Sequence, residues 1–466
     1  MSHAIARYLP ESMFITIGPE LAPFAESDNP QGFQNPASFG YFFHEYAHYL
    51  HNISTVSGIT VFINTLELLR CFRQTFDAAG LSNGSDFMKP AEKDHLRTLS
   101  AFLTRARLGY APHLTNIISP VGIKITSLKN SADVTGPKGE LLTVLVCDAE
   151  VSDQGGNTEN CVARIGTLEL LESAAWLLER RVVEAMDSNT QIDQPSVFPY
   201  RVIEAAARYA VPGLDDRGII ACVLAALQSS DAPEALEMMF GIAAEALRHS
   251  QDPMTVLRQK TVDSLNQGRA ELDSAFTALD SEFGGSNILA RSVRQIVATA
   301  RRLFEERCTD PFFEFQIIED MKTDTESFVN AIKRFAPCAV LQKRFGDDDD
   351  LERDILISFL PTNNEHGQDP ENGLRVVHSI FHFLGRHRTQ DGFVSSCKAR
   401  RDQCPFYTCC NLPLRLKEPA ICKAQPWKSV DWPEWDQEKG TCWYGTAVRI
   451  TRPPDDVSAQ TKSPVT

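Results

Sequence analysis

The stretch NPASFGYFFHEYAHYLHNIS, residues 35–54, narrows what this chain can build more than any other part of it. Asparagine before proline reads as a helix N-cap followed by proline at the first helical position, where a missing N–H costs nothing. The helix then runs on through a segment, YFFHEYAHYL, that is uncharged apart from His44-Glu45-Tyr46-Ala47-His48. Helical residues four apart share a face. His44 and His48 can therefore offer two imidazoles to one cation, and Glu45 between them can reach a metal-activated water as a base. Tyr46 and Tyr49 are expected as core contacts. The plain alternative is a helix whose His and Glu face solvent or satisfy core hydrogen bonds.

The rest of the chain supplies the setting. MFITIG (13–18) reads as a short strand before the helix, and Gly58 as the break before a second helix over 59–78, with a third near 90–108. Between 114 and 150, β-branched runs flank a PKGE turn, which predicts strands or a long hairpin. Helical periodicity returns at 163–187 and continues with short breaks to about 336. GDDDDLERD (346–354) reads as a solvated acidic loop, DILISFLP as a strand, 371–386 as a helix, and the tail from 453 as disordered. The 466 residues, 43% hydrophobic and 23% charged, exclude a disordered chain and allow several cores. The expected class is α+β and predominantly helical: an active-site helix with a small sheet, then a cysteine-rich C-terminal module. The expected units are 1–190, a helical region 191–336, a C-terminal region 337–452, and the tail 453–466.

A strand followed by a helix bearing H-E-x-x-H resembles the zincin metallopeptidases, in which the strand pairs with the substrate backbone beside the active-site helix. The resemblance implies a Zn²⁺-dependent peptidase in which Glu45 takes the proton of the attacking water and delivers it to the leaving amine. Metzincins continue with H-x-x-G-x-x-H, whereas this chain reads YLHNIST. The remaining option is an acidic third ligand from a later helix, as in gluzincins. Glu172, in LELLESAAWLLERR, resembles the E-[GS]-x-A helix that supplies that ligand, and the small Ser173, Ala174 and Ala175 would allow close packing. It lies 124 residues beyond His48. Glu67, in INTLELLRCF, is only 19 residues beyond, nearer the thermolysin-like spacing, but lacks the small residues. Glu179, two turns after Glu172, is a candidate acceptor for a ligand histidine. His51 falls on the same helical face as His44, one turn past His48, and is a candidate for substrate contact, with a packed bystander as the alternative.

Six of the twelve cysteines crowd between Cys397 and Cys442. The N-terminal MSHAIARYLPESMFITIGPE lacks a cationic segment followed by an apolar one, and no run of 18 uncharged apolar residues occurs. A reducing cytoplasm without a membrane span is the expectation, and there clustered thiols favour coordination over disulfides. Cys404, Cys409 and Cys422 are the first candidate ligands of a second, structural Zn²⁺ or an iron–sulfur cluster, with Cys397, or else Cys410 or Cys442, completing the set. Packed or redox thiols are the alternative, since no C-x-x-C pair is present. From Phe381 to Gln425, eight Lys/Arg face three acids, +5 in a chain of net −15. A basic face packing on the acidic remainder is expected there, with a nucleic-acid or acidic partner as the alternative. His378 and His382, another i,i+4 pair without a Glu between them, are expected as core histidines. The implied partner is a peptide or protein substrate. The rival readings are a zincin-like regulatory protein that binds metal and a partner without turnover, and a nucleic-acid sensor acting through the basic cysteine segment.

Overall fold

The computed structural model describes residues 5–21, 35–77, 80–108, 112–135, 141–190, 192–320, 330, 332–346, 353–359, 370–390, 392–431 and 442–452. The expected tail, the PKGE turn and most of the acidic loop lie outside them. The chain is α-rich with small sheets, in keeping with an α+β class.

Strands β1 (Ala6–Leu9) and β2 (Phe14–Ile17) form an antiparallel pair. Helix α1 (Pro36–Ser54) starts as its sequence predicts, with Asn35 Oδ1 accepting from the Ser38 N–H at 2.9 Å. Thr55 then serves two helices. Its N–H bonds to the His51 carbonyl at 3.1 Å and its hydroxyl accepts from the Gly58 N–H at 3.1 Å, opening α2 (Val56–Arg73) at a bend of 77°. Gly58 is therefore not the break. It lies in the first turn of α2, pressed so close to α1 that a Cβ would stand 2.2 Å from the His51 carbonyl oxygen.

After α3 (Pro90–Leu108), strands β3 (Gly122–Thr135), β4 (Leu141–Ser152) and β5 (Thr158–Ile165) make an antiparallel sheet in that order. β5 takes the start of the stretch expected to be helical, and α4 (Thr167–Met186) begins after Gly166, whose N–H bonds back to Glu169 at 2.9 Å. The helical region resolves into α5 (Val202–Ala210), α6 (Asp216–Ala226), α7 (Ala232–Arg248), α8 (Pro253–Glu282), α9 (Ile288–Thr309) and α10 (Phe313–Asp320). Asp215, Asp231, Asp252 and Asn287 start α6 to α9 by accepting backbone N–H bonds that the helix itself cannot satisfy.

Strands β6 (Cys338–Gln342) and β7 (Ile355–Phe359) complete a four-stranded sheet of order β1-β2-β6-β7, β6 running parallel to β2. The last long elements are α11 (Pro370–His387) and α12 (Trp443–Thr451). Asp354, at the end of the expected acidic loop, is not solvated. It is buried, pairing with Lys343 Nζ at 2.7 Å and accepting from the Arg344 N–H and the Thr408 hydroxyl. One apolar core crosses both expected unit boundaries: Phe72 of α2, for example, packs on Phe383 of α11 and on Phe393. Among the described residues no single helix is long and apolar enough to cross a membrane.

Candidate metal centre

The centre is built where α4 lies across α1. Gly40 sets the approach: a Cβ there would meet Val183 Cγ2 at 2.7 Å and Glu179 Cγ at 3.3 Å. On the opposing helix Ser173, Ala174 and Ala175 are buried, as their size suggested. This packing delivers Glu172 to the two histidines. Its Oε2 stands 3.2 Å from His44 Nε2 and 3.4 Å from His48 Nε2. The ligand atoms of His44, His48 and Glu172 all lie within 4.8 Å of one another. Two turns along α4, Glu179 Oε2 bonds His44 Nδ1 at 2.9 Å. That bond makes Nδ1 the protonated nitrogen and leaves Nε2 directed at Glu172.

The electrostatics follow from three carboxylates around two imidazoles. Burial alone disfavours a charged His44, yet its hydrogen bonds to Glu172 and Glu179 and the charge of Glu45 push its pKa up to about 10. Burial also opposes ionisation of Glu172, but the charge of His48 and the bonds from both histidines hold its carboxyl well below the usual range. Such a pocket selects positive charge.

Glu45, whose charge acts on both His44 and Tyr200, also reaches the sheet. Its Oε2 accepts the backbone N–H of Tyr8, on edge strand β1, at 2.6 Å. Tyr200, which no motif marks, completes the surroundings. Its ring centroid is 5.8 Å from that of His44. Burial, then the charges of Glu172, Glu45 and Glu179, raise its pKa and keep the phenol protonated.

Compared with protein-family models, curated proteins and solved structures, the chain matches none.

Glu67 does not reach this centre. It is held by Arg70 and by His95 Nε2 at 2.8 Å, in a separate group with Cys71. There the Arg70 guanidinium already neutralises the carboxylate. Burial pushes the Cys71 thiol up to about 11.

The expected contact of His51 with substrate is overturned by its burial. The ring is fully enclosed, with Nε2 3.3 Å from Glu314 Oε1. Glu314 is in turn paired with the equally buried Arg307, which also donates to Ser54 Oγ at 2.8 Å. The group ties the end of α1 to α9 and α10. Its position on the His44 face was legible, but its partners come from far along the chain.

Of the expected C-terminal thiols, Cys404 and Cys422 gather with Cys410 and Cys442, the four acting electrostatically on one another. Among the described residues, only His44-His48-Glu172 and Glu67-Cys71-His95 bring three ligand atoms within 4.8 Å of one another. Cys397 is exposed against Ser395, and Cys409 packs beside Phe14 and Phe406 with its thiol on the Phe406 carbonyl. Cys404 and Cys422 are joined through the backbone, N–H to carbonyl, at 2.7 Å. Cys442 accepts the Gly445 N–H at 3.4 Å, capping α12. Burial raises the thiols of Cys404, Cys409, Cys410 and Cys422 and keeps them neutral.

Proposed function

We propose that the chain is a zinc-dependent metallopeptidase of gluzincin type, with His44, His48 and Glu172 as metal ligands and Glu45 as general base. The observation that carries this reading is the convergence of two imidazole nitrogens and one carboxylate oxygen within 4.8 Å. A zinc ion held there would supply Lewis acidity, bringing the pKa of a water toward neutrality and polarising a peptide carbonyl. Glu179 holds the His44 ring in the tautomer that ligation needs. Glu45, oriented through Oε2 by the Tyr8 N–H, keeps Oε1 to take a proton from water and pass it to the leaving amine. The Tyr200 phenol is a protonated donor beside the same residues, suited to the carbonyl oxygen as it gains charge. Strand β1, at the sheet edge beside Glu45, offers an extended substrate a strand to pair with.

The reducing cytoplasm expected from the sequence stays part of this reading. The hold of Tyr8 on Glu45 favours a second reading, a zincin-like protein that binds zinc and a partner without turnover. Metal analysis and peptide hydrolysis on wild-type, His44→Ala and Glu45→Gln protein separate the two. Zinc retained by His44→Ala sinks the metal centre. Wild-type turnover by Glu45→Gln sinks its role as base. Zinc bound with no peptide cleaved leaves the second reading.

A further inference from the structure

One and two turns beyond Glu172 on α4, Trp176 and Arg180 line a cavity of about 180 Å³, large enough for a side chain rather than one ordered water. The opposite wall carries Arg201, the neighbour in sequence of Tyr200, whose ring lies against His44. The cavity thus opens from the same two segments that border the metal centre.

Its lining includes Thr190, Gln194 and two glutamates, yet one of its donors has no partner. Trp176 is only 5% exposed, and its indole N–H is buried with no partner. Arg180 is taken by Asp216 at 2.7 Å and lies 3.8 Å from Glu204. Glu204 is also engaged by Arg208 at 2.7 Å, so that carboxylate is already neutralised. The other acid in the lining, Glu184, is exposed. Arg201 differs from both other arginines. It donates to the Val121 carbonyl at 3.1 Å, and among the described residues no carboxylate stands within ion-pair distance of it. Beyond Arg201 and Glu204 a second cavity, about 410 Å³, adds Lys124 and Arg208 to its walls. A buried donor without an acceptor costs free energy, and a guanidinium without a carboxylate is the natural partner of an incoming one.

We propose that the smaller cavity receives a carboxylate of the bound peptide, with Arg201 as its ion-pair partner and the Trp176 indole as a second donor. The identity of the ligand as a peptide rests on the peptidase reading; the preference for a carboxylate rests on the cavity. The carboxylate comes from an acidic side chain or from a free chain end, and the two are separable.

The test is calorimetric binding to Glu45→Gln protein in the presence of zinc, so that no substrate is consumed. Three probes suffice: an N-acetylated, C-amidated alanine pentapeptide with a central glutamate, its glutamine twin, and an all-alanine peptide with a free carboxylate end. Binding of one carboxylate peptide about tenfold or more tighter than the glutamine twin is expected, given the strength of a charge-assisted bond. The peptide that gains identifies the source. Arg201→Ala should abolish the gain, Arg201→Lys should keep part of it, and Trp176→Phe should reduce it severalfold. Equal affinity for all three probes, no binding of any, or a gain that survives Arg201→Ala in folded protein overturns the proposal. Failure of the peptidase reading looks different. Carboxylate-selective binding by wild-type protein that cleaves nothing removes the enzyme and leaves the pocket, whereas cleavage without selectivity does the reverse.

Discussion

Two helices of this protein carry a histidine pair at the same spacing, His44 and His48 on α1 and His378 and His382 on α11, and their surroundings give them opposite chemistry. Around the first pair stand Glu172 and Glu179, which raise His44 to about 10 against the penalty of burial. Around the second stand mostly neutral or cationic groups, and the one acid that acts on His378, Glu11, does not offset its burial. His378 bonds Ser12 Oγ at 2.8 Å and stacks on Phe14 at 4.3 Å, and burial lowers it to about 4. His382 bonds the Tyr444 hydroxyl at 2.9 Å, and burial with the nearby Arg386 lowers it to about 2. Spacing puts two imidazoles on one face. Only a carboxylate from another helix turns the face into a ligand set.

The largest effects should fall on α1 alone. With a suitable peptide, Glu45→Gln should lower kcat by roughly 10²–10⁴-fold, the range of general-base contributions, while bound zinc stays stoichiometric. His44→Ala or His48→Ala should lose the zinc itself by metal analysis. His378→Ala should retain it, and zinc that followed His378 instead would invert the comparison. Next in size is Glu179→Gln, which should weaken zinc by about 10–100-fold in a competition titration, the usual cost of losing a bond behind a ligand histidine. Its counterpart, Tyr444→Phe, removes the hydrogen bond behind His382. It should leave zinc affinity unchanged and cost about 1 kcal/mol in denaturant unfolding.

What was legible in the sequence was local. The cap at Asn35-Pro36, the course of α1 and the His44-Glu45-His48 register need only neighbours in sequence, and the structure draws them as read. Glu172 could be preferred to Glu67 because small residues beside it signal close packing, and α4 laid across α1 is how that packing carries it to the histidines. The residue that permits that crossing, Gly40, carries no motif, and neither does Tyr200. β1 was missed because four residues, ARYL, are too few to show a period, and its neighbour across β2 comes from the far end of the chain. His51 failed for the opposite reason: its spacing was correct, and the burial set by Glu314 and Arg307 decided against it. Crowding of cysteines in sequence carried over in part: Cys404, Cys410, Cys422 and Cys442 act on one another while Cys397 is exposed against Ser395, and which of the six gather needed the fold.

The smallest effect tests the comparison by its sign. In zinc-free protein His44 has a folded pKa of about 10 against an ordinary 6.5. Its contribution to stability is therefore complete below pH 6.5 and is lost as pH rises through about 10. For His378 the folded pKa is depressed from 6.5 to about 4, so the fold holds it neutral. Its contribution is complete above pH 6.5 and is lost as pH falls toward 4. Thermal unfolding of the zinc-free protein should thus decline on both sides of neutrality, by a few degrees per group. His44→Gln should flatten the decline between pH 6.5 and 9, below the range of the buried thiols, and His378→Asn should remove one share of the decline between pH 6.5 and 4, the rest belonging to His382 and His387. Carboxylates with lowered pKa, such as Glu172 and Glu314, act below that window and do not blur it. Zinc supplies the decisive contrast. It competes with the proton on His44, so saturating zinc should remove the decline between pH 6.5 and 9 and leave the acid side, set by His378, His382 and His387. A decline between pH 6.5 and 9 that persists in zinc would mean that the positive charge gathered at α1 is not metal.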